Sequence, residues 1–237
     1  MIKEEFYQCI GEFFTHGRLL KQINHTFIAL IPKIENPSQT QQFRPISLCS
    51  TVYKTISKIL VNRIRPLLNK IVSLVQSAFV PDWSIHDNIL VTHEIVHKFK
   101  VLKGKAAWVV LKLDMEKAYD RLEWDFIQAC LQQFRFHETR IKWIMECITT
   151  VSYSIVINDE PAGLIRPSRG TRQGDPLSPY ILIMCMEVLS TALLNVTWQP
   201  RTGISIKIST GMDRTHAYYL LMIVFYSVKR TKLTTGS

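Results

Sequence analysis

Apolar residues recur at helical spacing in several stretches of the chain. Leu48, Val52, Ile56, Ile59, Leu60 and Ile64 step along one face while Lys54, Lys58, Arg63 and Arg65 mostly point elsewhere, which predicts an amphipathic helix. Ser84 is placed to cap a second helix carrying Ile85, Ile89, Ile95, Val96 and Phe99. Helical patterns follow at 123–134 and 138–150, and residues 179–194 are apolar enough for a buried helix. Residues 106–113 (AAWVVLKL) are short, apolar and rich in Val and Leu, the pattern of a strand buried on both faces. Residues 153–157 read as a strand, 158–163 as a hairpin turn returning through Leu164 and Ile165, and 203–208 as another strand. The Pro-, Asn- and Gln-containing segment 32–45 reads as a loop, and Lys103-Gly104-Lys105 as a turn at a subdomain boundary. Strands separated by helices in this way predict an α+β fold with a mainly antiparallel sheet.

Composition narrows the class. The 237 residues are 47% apolar and 20% charged, enough for a sizeable core in one large or two small domains and incompatible with wholesale disorder. The apolar run 217–225 is less than half of the roughly 20 residues a membrane-spanning helix needs, so no membrane partner is expected. The start, Met1-Ile-Lys-Glu-Glu, is not that of a secretory signal. Cys9, Cys49, Cys130, Cys147 and Cys185 are scattered and never form a CxxC pair, which argues against a disulfide framework and fits a reducing compartment.

The net charge of +10 is unevenly spread. Residues 1–105 carry fourteen Lys and Arg against seven Asp and Glu, residues 106–187 nine against eleven, and residues 188–237 six against one. Basic flanks around an acidic centre suit a polyanion partner with cations held in the middle; the plainer alternative is a surface that is basic at random. Asp114 follows directly on the predicted strand. A carboxylate fixed at a buried strand end suits a divalent metal, and capping of the next helix is the alternative role. In residues 169–179 (RGTRQGDPLSP) two glycines allow close backbone approach, and Arg172 and Gln173 offer hydrogen bonds to phosphate and sugar. Alone, that segment is equally a loop leading into a helix.

Taken together and in order, FRPISL (43–48), QSAFV (76–80), LDMEKAYD (113–120) and GTRQGDPLSP (170–179) resemble the reverse transcriptase domain of LINE-type (non-LTR) retrotransposons, most like plant elements, over about residues 20–200. The resemblance implies the fingers and palm of a right-hand polymerase, with an antiparallel palm sheet flanked by helices. Residues 1–105 would form an N-terminal segment and fingers, 106–200 the palm, and 201–237 a degraded palm end with the thumb absent. It implies RNA-templated addition of deoxynucleoside triphosphates to a DNA primer 3′-end with two Mg²⁺ ions, in the nucleus. Asp114 and the Met115 carbonyl would be metal ligands, Tyr119 the steric gate under the sugar, Gln173 a positioning group for the nucleotide, and Arg44 and Lys33 fingers contacts to the triphosphate. Asp120 is structural by the same likeness, and an endonuclease domain that the family carries upstream is not in this sequence.

Two features sit outside that likeness. His93-Glu94-Ile95-Val96-His97 matches HExxH, the zinc-protease signature, but lacks its downstream histidine and falls in a segment the polymerase reading already covers. More important, the Phe-Ala-Asp-Asp hairpin that the likeness requires after Gln173 is missing; residues 188–237 hold one acid, Asp213. If residues 217–223 are encoded GCT TAC TAT TTG CTG ATG ATT, the frame beginning at the third base spells Leu-Leu-Phe-Ala-Asp-Asp. The expectation is a frameshift near His216 that erased the aspartate pair and left the chain without polymerase activity. One carboxylate cannot hold two close Mg²⁺ ions against their mutual repulsion. The alternatives are a non-catalytic RNA or RNA–DNA binding module, or a product too aggregation-prone to accumulate.

Overall fold

The structure, a computed structural model, describes residues 2–72, 93, 97, 106–114, 117–197, 204–205 and 221–229. The chain divides into two compact units, one made of Met1–Leu67 with Lys117–Cys185, the other of Leu68–Glu116 with Met186–Ser237. The helix expected after Ser84 and the turn at Lys103–Lys105 lie outside the described residues.

The first unit is built on a four-stranded sheet of order β2-β1-β4-β5, with β1 His25–Pro32, β2 Phe43–Leu48, β4 Ser152–Ile157 and β5 Glu160–Ile165. β1 pairs antiparallel with β2 and β4 with β5, but β1 and β4 run parallel, from His25↔Ser152 to Ile28↔Ile155. The sheet is therefore mixed rather than antiparallel throughout. Helices α1 (Ile2–His16), α2 (Lys21–Asn24), α3 (Thr51–Ile71), α4 (Ala118–Arg121), α5 (Trp124–Gln133), α6 (Glu138–Thr149) and α7 (Ser178–Thr197) complete the α+β architecture, with α3 and α7 reaching past the unit's boundaries.

Each helix follows from its sequence. On α3 the buried residues Tyr53, Ile56, Ser57, Leu60, Val61 and Ile64 share the apolar face that the periodicity marks out, while Leu48 belongs to β2 and is exposed. α1 ends at Gly17, whose φ of +64° lets its N–H reach the Phe13 carbonyl at 2.7 Å. α7 buries Ile181 through Met186 without a break, as its continuous apolar run requires. The second unit contains a three-stranded sheet in which β7 (Leu221–Lys229) lies between β3 (Ala106–Asp114) and β6 (Ile204–Ser205). β3 and β7 pair antiparallel from Ala106↔Lys229 to Asp114↔Leu221.

Two expectations change. The loop over 32–45 is shorter than expected, because a 3-10 turn at Thr40–Gln42 feeds into β2 at Phe43. The hairpin turn over 158–163 contracts to Asn158-Asp159, with φ of 51° and 63°, and Ile157 already pairs with Glu160. Both central residues at positive φ define a type I′ turn, which favours glycine at the second position. Asp159→Gly is therefore expected to raise stability by up to about 1 kcal/mol, read as a higher thermal midpoint.

Candidate functional site

The segment 169–175 is the structural centre of the first unit. Gly170 donates to the Leu122 carbonyl and Thr171 N–H to the Tyr119 carbonyl, both at 2.7 Å, so the loop lies directly on the α4 turn that carries Tyr119. A Cβ on Gly170 would meet the carbonyl oxygens of Tyr119 and Asp120 at 3.0 Å, and its φ is +87°, so glycine is required on both counts. On its other side, the Gln173 carbonyl accepts the Ser47 N–H at 2.9 Å, and Gly174, at φ +101°, passes close to Ser47 and Ile46. The loop thus ties α4 to β2.

Arg172 is turned into the interior, with 3% exposure. It donates to Thr26 Oγ1, Cys49 Sγ, Asn24 Oδ1 and the Cys147 carbonyl. Its guanidinium sits 3.8 Å from the centre of the Tyr53 ring. Tyr53 in turn donates its phenol to Asp175 at 2.8 Å, and Ser57 donates to the other carboxylate oxygen at 2.6 Å. Asp175 also accepts from the Leu177 N–H and the Ser178 hydroxyl at the start of α7. Burial works against the Arg172 charge, but the neighbouring Tyr53 and Asp175 outweigh it and raise its pKa. Burial, reinforced by Asp175, pushes the Tyr53 phenol well above its ordinary range, and burial carries Tyr153 up to about 12. The sequence reading of Arg172 as a phosphate or sugar ligand does not match this placement, since its side chain faces protein partners.

The other expected residues are spread over both units. Tyr119 is half-buried, with its phenol pKa raised by that burial, and Gln173 is half-buried on the loop. Arg44 is exposed on β2 opposite Ile31, about 10 Å along the strand from Ser47. Lys33 is exposed at the adjoining turn, where its Nζ donates to the Gln41 carbonyl at 2.9 Å. The first unit therefore brings the strand of Arg44, the turn of Tyr119 and the loop of Gln173 together by backbone hydrogen bonds. Asp114 closes β3 in the second unit, and Met115 lies outside the described residues. His93 and His97 are helical and exposed; Glu94 is not among the described residues. No three His, Cys, Asp or Glu side chains gather into a metal-binding group among the described residues, and no described helix is long and apolar enough to cross a membrane. Asn24, Thr26, Tyr53, Ser57 and Cys147 went unread in the sequence, because they lie up to 148 positions from Arg172 and share no local pattern with it.

Replacing Arg172 by Ala strands the Asn24 Oδ1 and leaves the Asp175 charge without its nearby cation, so a loss of at least about 2 kcal/mol is expected in urea unfolding. Gly170→Ala is expected to cost about 1–3 kcal/mol by the clash and the φ together. The tyrosines give a pH signature. Their folded pKa values lie above the ordinary 10, so the fold holds phenolic protons that the unfolded chain releases. Stability is then complete below pH about 10 and falls as pH rises toward about 12, where Tyr153 titrates in the fold. Tyr153→Phe should flatten that alkaline decline in unfolding midpoints measured across the range.

Comparison with known proteins agrees with this architecture. The sequence profile described as "Reverse transcriptase (RNA-dependent DNA polymerase)" matches residues 31–220. The chain is 27% identical over 183 residues to the Transposon TX1 uncharacterized 149 kDa protein of Xenopus laevis, covering 77% of this chain and 14% of that protein. It is 26% identical over 186 residues to the Retrovirus-related Pol polyprotein from type-1 retrotransposable element R2 of Nasonia vitripennis, covering 77% of this chain and 18% of that one. The chain thus spans under a fifth of these relatives' length. The fold is similar to that of telomerase from Candida tropicalis solved with a fragment of telomeric RNA, with TM-score 0.53 and 14% identity over 95% of this chain and 40% of that one. A profile match over most of the chain, on an α+β fold whose glycine-bearing loop joins the Tyr119 turn to β2, makes this chain a member of the reverse transcriptase (RNA-dependent DNA polymerase) family.

Proposed function

We propose that the chain is the fingers-and-palm part of a retrotransposon reverse transcriptase that engages an RNA template and DNA primer without extending the primer. The observation that carries this reading is the register of β3 and β7. Across from Asp114 stands Leu221, followed by Met222 and Ile223, none of which has an oxygen donor in its side chain. The family works with divalent metal ions, and a pair of Mg²⁺ ions needs carboxylates from more than one strand. The residues present here do not fit such a pair. If residues 217–223 carry the codons GCT TAC TAT TTG CTG ATG ATT, the two aspartate codons of the shifted frame would straddle codons 221/222 and 222/223, beside the position that pairs with Asp114. That coincidence supports a frameshift as the origin of β7 in its present form.

Binding needs less than catalysis does. Arg44 and Lys33 meet triphosphate or template phosphate, Tyr119 lies under the sugar of a nucleotide, and Gln173 orients that nucleotide, while Arg172 holds the loop from behind. In this reading the protein behaves as a nucleic-acid binding module, and the basic 1–105 segment provides the attraction.

A primer-extension assay on an RNA template, with Mg²⁺ or Mn²⁺, is expected to give no product above background while a filter-binding assay on the same primer–template shows salt-dependent retention. Product above background overturns the inactivity, and salt-independent or absent retention overturns the binding. Lys33→Ala/Arg44→Ala should lower the slope of log affinity against log salt by roughly 2, one phosphate contact per side chain. Leu221→Asp, which places a carboxylate at the register position opposite Asp114, should raise Mn²⁺ affinity in equilibrium dialysis.

A further inference from the structure

The peptide unit between Gly170 and Thr171 is gripped at both ends. Its N–H, from Thr171, donates to the Tyr119 carbonyl at 2.7 Å. Its C=O, from Gly170, accepts the indole N–H of Trp124 at 2.9 Å. In a trans peptide these two groups point in opposite directions from one rigid plane. The plane is therefore a strut between the half-buried Trp124 indole at the start of α5 and the backbone of Tyr119 on α4. Little else resists its rotation. Glycine is the residue whose backbone turns most freely, and Gly170 sits at φ +87°. The Gly170 N–H bond to Leu122 holds the preceding peptide, not this one, and the Thr171 hydroxyl has no partner among the described residues. The nearby Arg169–Glu123 ion pair, at 3.0 Å, is more than half exposed on both sides and contributes little. Gly170 is buried, so water does not replace a lost donor at its carbonyl.

We propose that Trp124 is a positioning residue for the nucleotide site: through the 170–171 peptide, its indole N–H fixes the Tyr119 backbone and with it the clearance left for the nucleotide sugar. The inference rests on the reading of Tyr119 as the group beneath that sugar. A 2′-hydroxyl adds a single oxygen, so excluding it requires the backbone that carries the gate to be held within about 0.5 Å. When the plane turns, the Tyr119 carbonyl loses its donor, the α4 turn recedes, and the hydroxyl is admitted. Gln173 is held differently. Its carbonyl is bonded to the Ser47 N–H, so β2 rather than Trp124 sets its place. Loss of the indole donor therefore falls on the choice of sugar. An indole has one donor and no acceptor, so Trp124 serves this one carbonyl and nothing in exchange.

The test titrates the full chain, on a primer–template in Mg²⁺ buffer, with dATP and with ATP opposite a template uridine. The wild type is expected to favour dATP, and Tyr119→Ala to abolish the preference. Two changes at position 124 remove the donor: Trp124→Phe, and the benzothiophene analogue of tryptophan, which keeps the shape of the indole without its N–H. Each should lower the preference roughly fivefold, the worth of about one hydrogen bond. Hydrogen exchange at the Thr171 amide should quicken by about the same factor, while the Cys130 and Leu131 amides inside α5 keep their rates. A merely structural Trp124 gives the opposite pattern, faster exchange along α5 with the sugar preference intact, and overturns the proposal. So does a Thr171 amide that exchanges as before, or a preference kept by both position-124 variants although Tyr119→Ala abolishes it. A wild type that binds no dATP or takes both nucleotides alike, or a Tyr119→Ala variant that keeps the preference, overturns the reading of Tyr119 and this inference with it.

Discussion

Burying a guanidinium is tolerable only where every face of it finds a partner, and the first unit is arranged around that requirement. An arginine at the surface is satisfied by water. Arg172 is cut off from solvent, so the end of α2, the start of β1, the end of α6 and the face of Tyr53 all converge on it. Asp175 lies beyond Tyr53 rather than directly against the guanidinium, and the phenol joins the two charges. The carboxylate then spends its remaining capacity on Ser57 and on the first turn of α7. Elements from both ends of the unit's sequence thereby share one buried polar network, and such a network is stable only when it is complete.

The loop that contributes both charges also faces outward. Gln173 and Gly174 occupy its outer side beside β2, while Gly170 is buried against the Tyr119 turn. The residues expected to meet a nucleotide are thus held from behind by the buried network of Arg172 and Asp175. Thr171 sits between the two roles: its N–H is bonded to Tyr119, while its hydroxyl is the buried side-chain oxygen without a partner among the described residues.

Much of this was legible in the sequence. The apolar run 106–111 ahead of Asp114 made β3 recognisable, and the periodicity of α3 left little choice of element. β1 and β2 were not legible. β2 contains Pro45, which reads as a loop signal, yet β2 is the edge of the sheet, where a missing N–H does no harm. Arg172 was misread for a related reason, since a short motif gives residue types and spacing but not which side chain turns inward. Its partners come from separate segments, and only tertiary structure brings them together. The Asp114 strand and its motif were visible at once; that Leu221 stands across from it depends on a pairing between strands far apart in the chain, which no local pattern encodes.

The distance along the chain between Arg172 and its partners also has a consequence for biosynthesis. Asn24 and Thr26 precede Arg172 by 148 and 146 residues. At translation rates of about 5–20 residues per second, the ribosome takes roughly 7 to 30 s to deliver the guanidinium after Asn24 is made. Through most of that interval β1 has neither its parallel neighbour β4 nor the cation that closes its buried end. The nascent chain must therefore remain soluble with an unfinished sheet until the loop at Arg172 emerges.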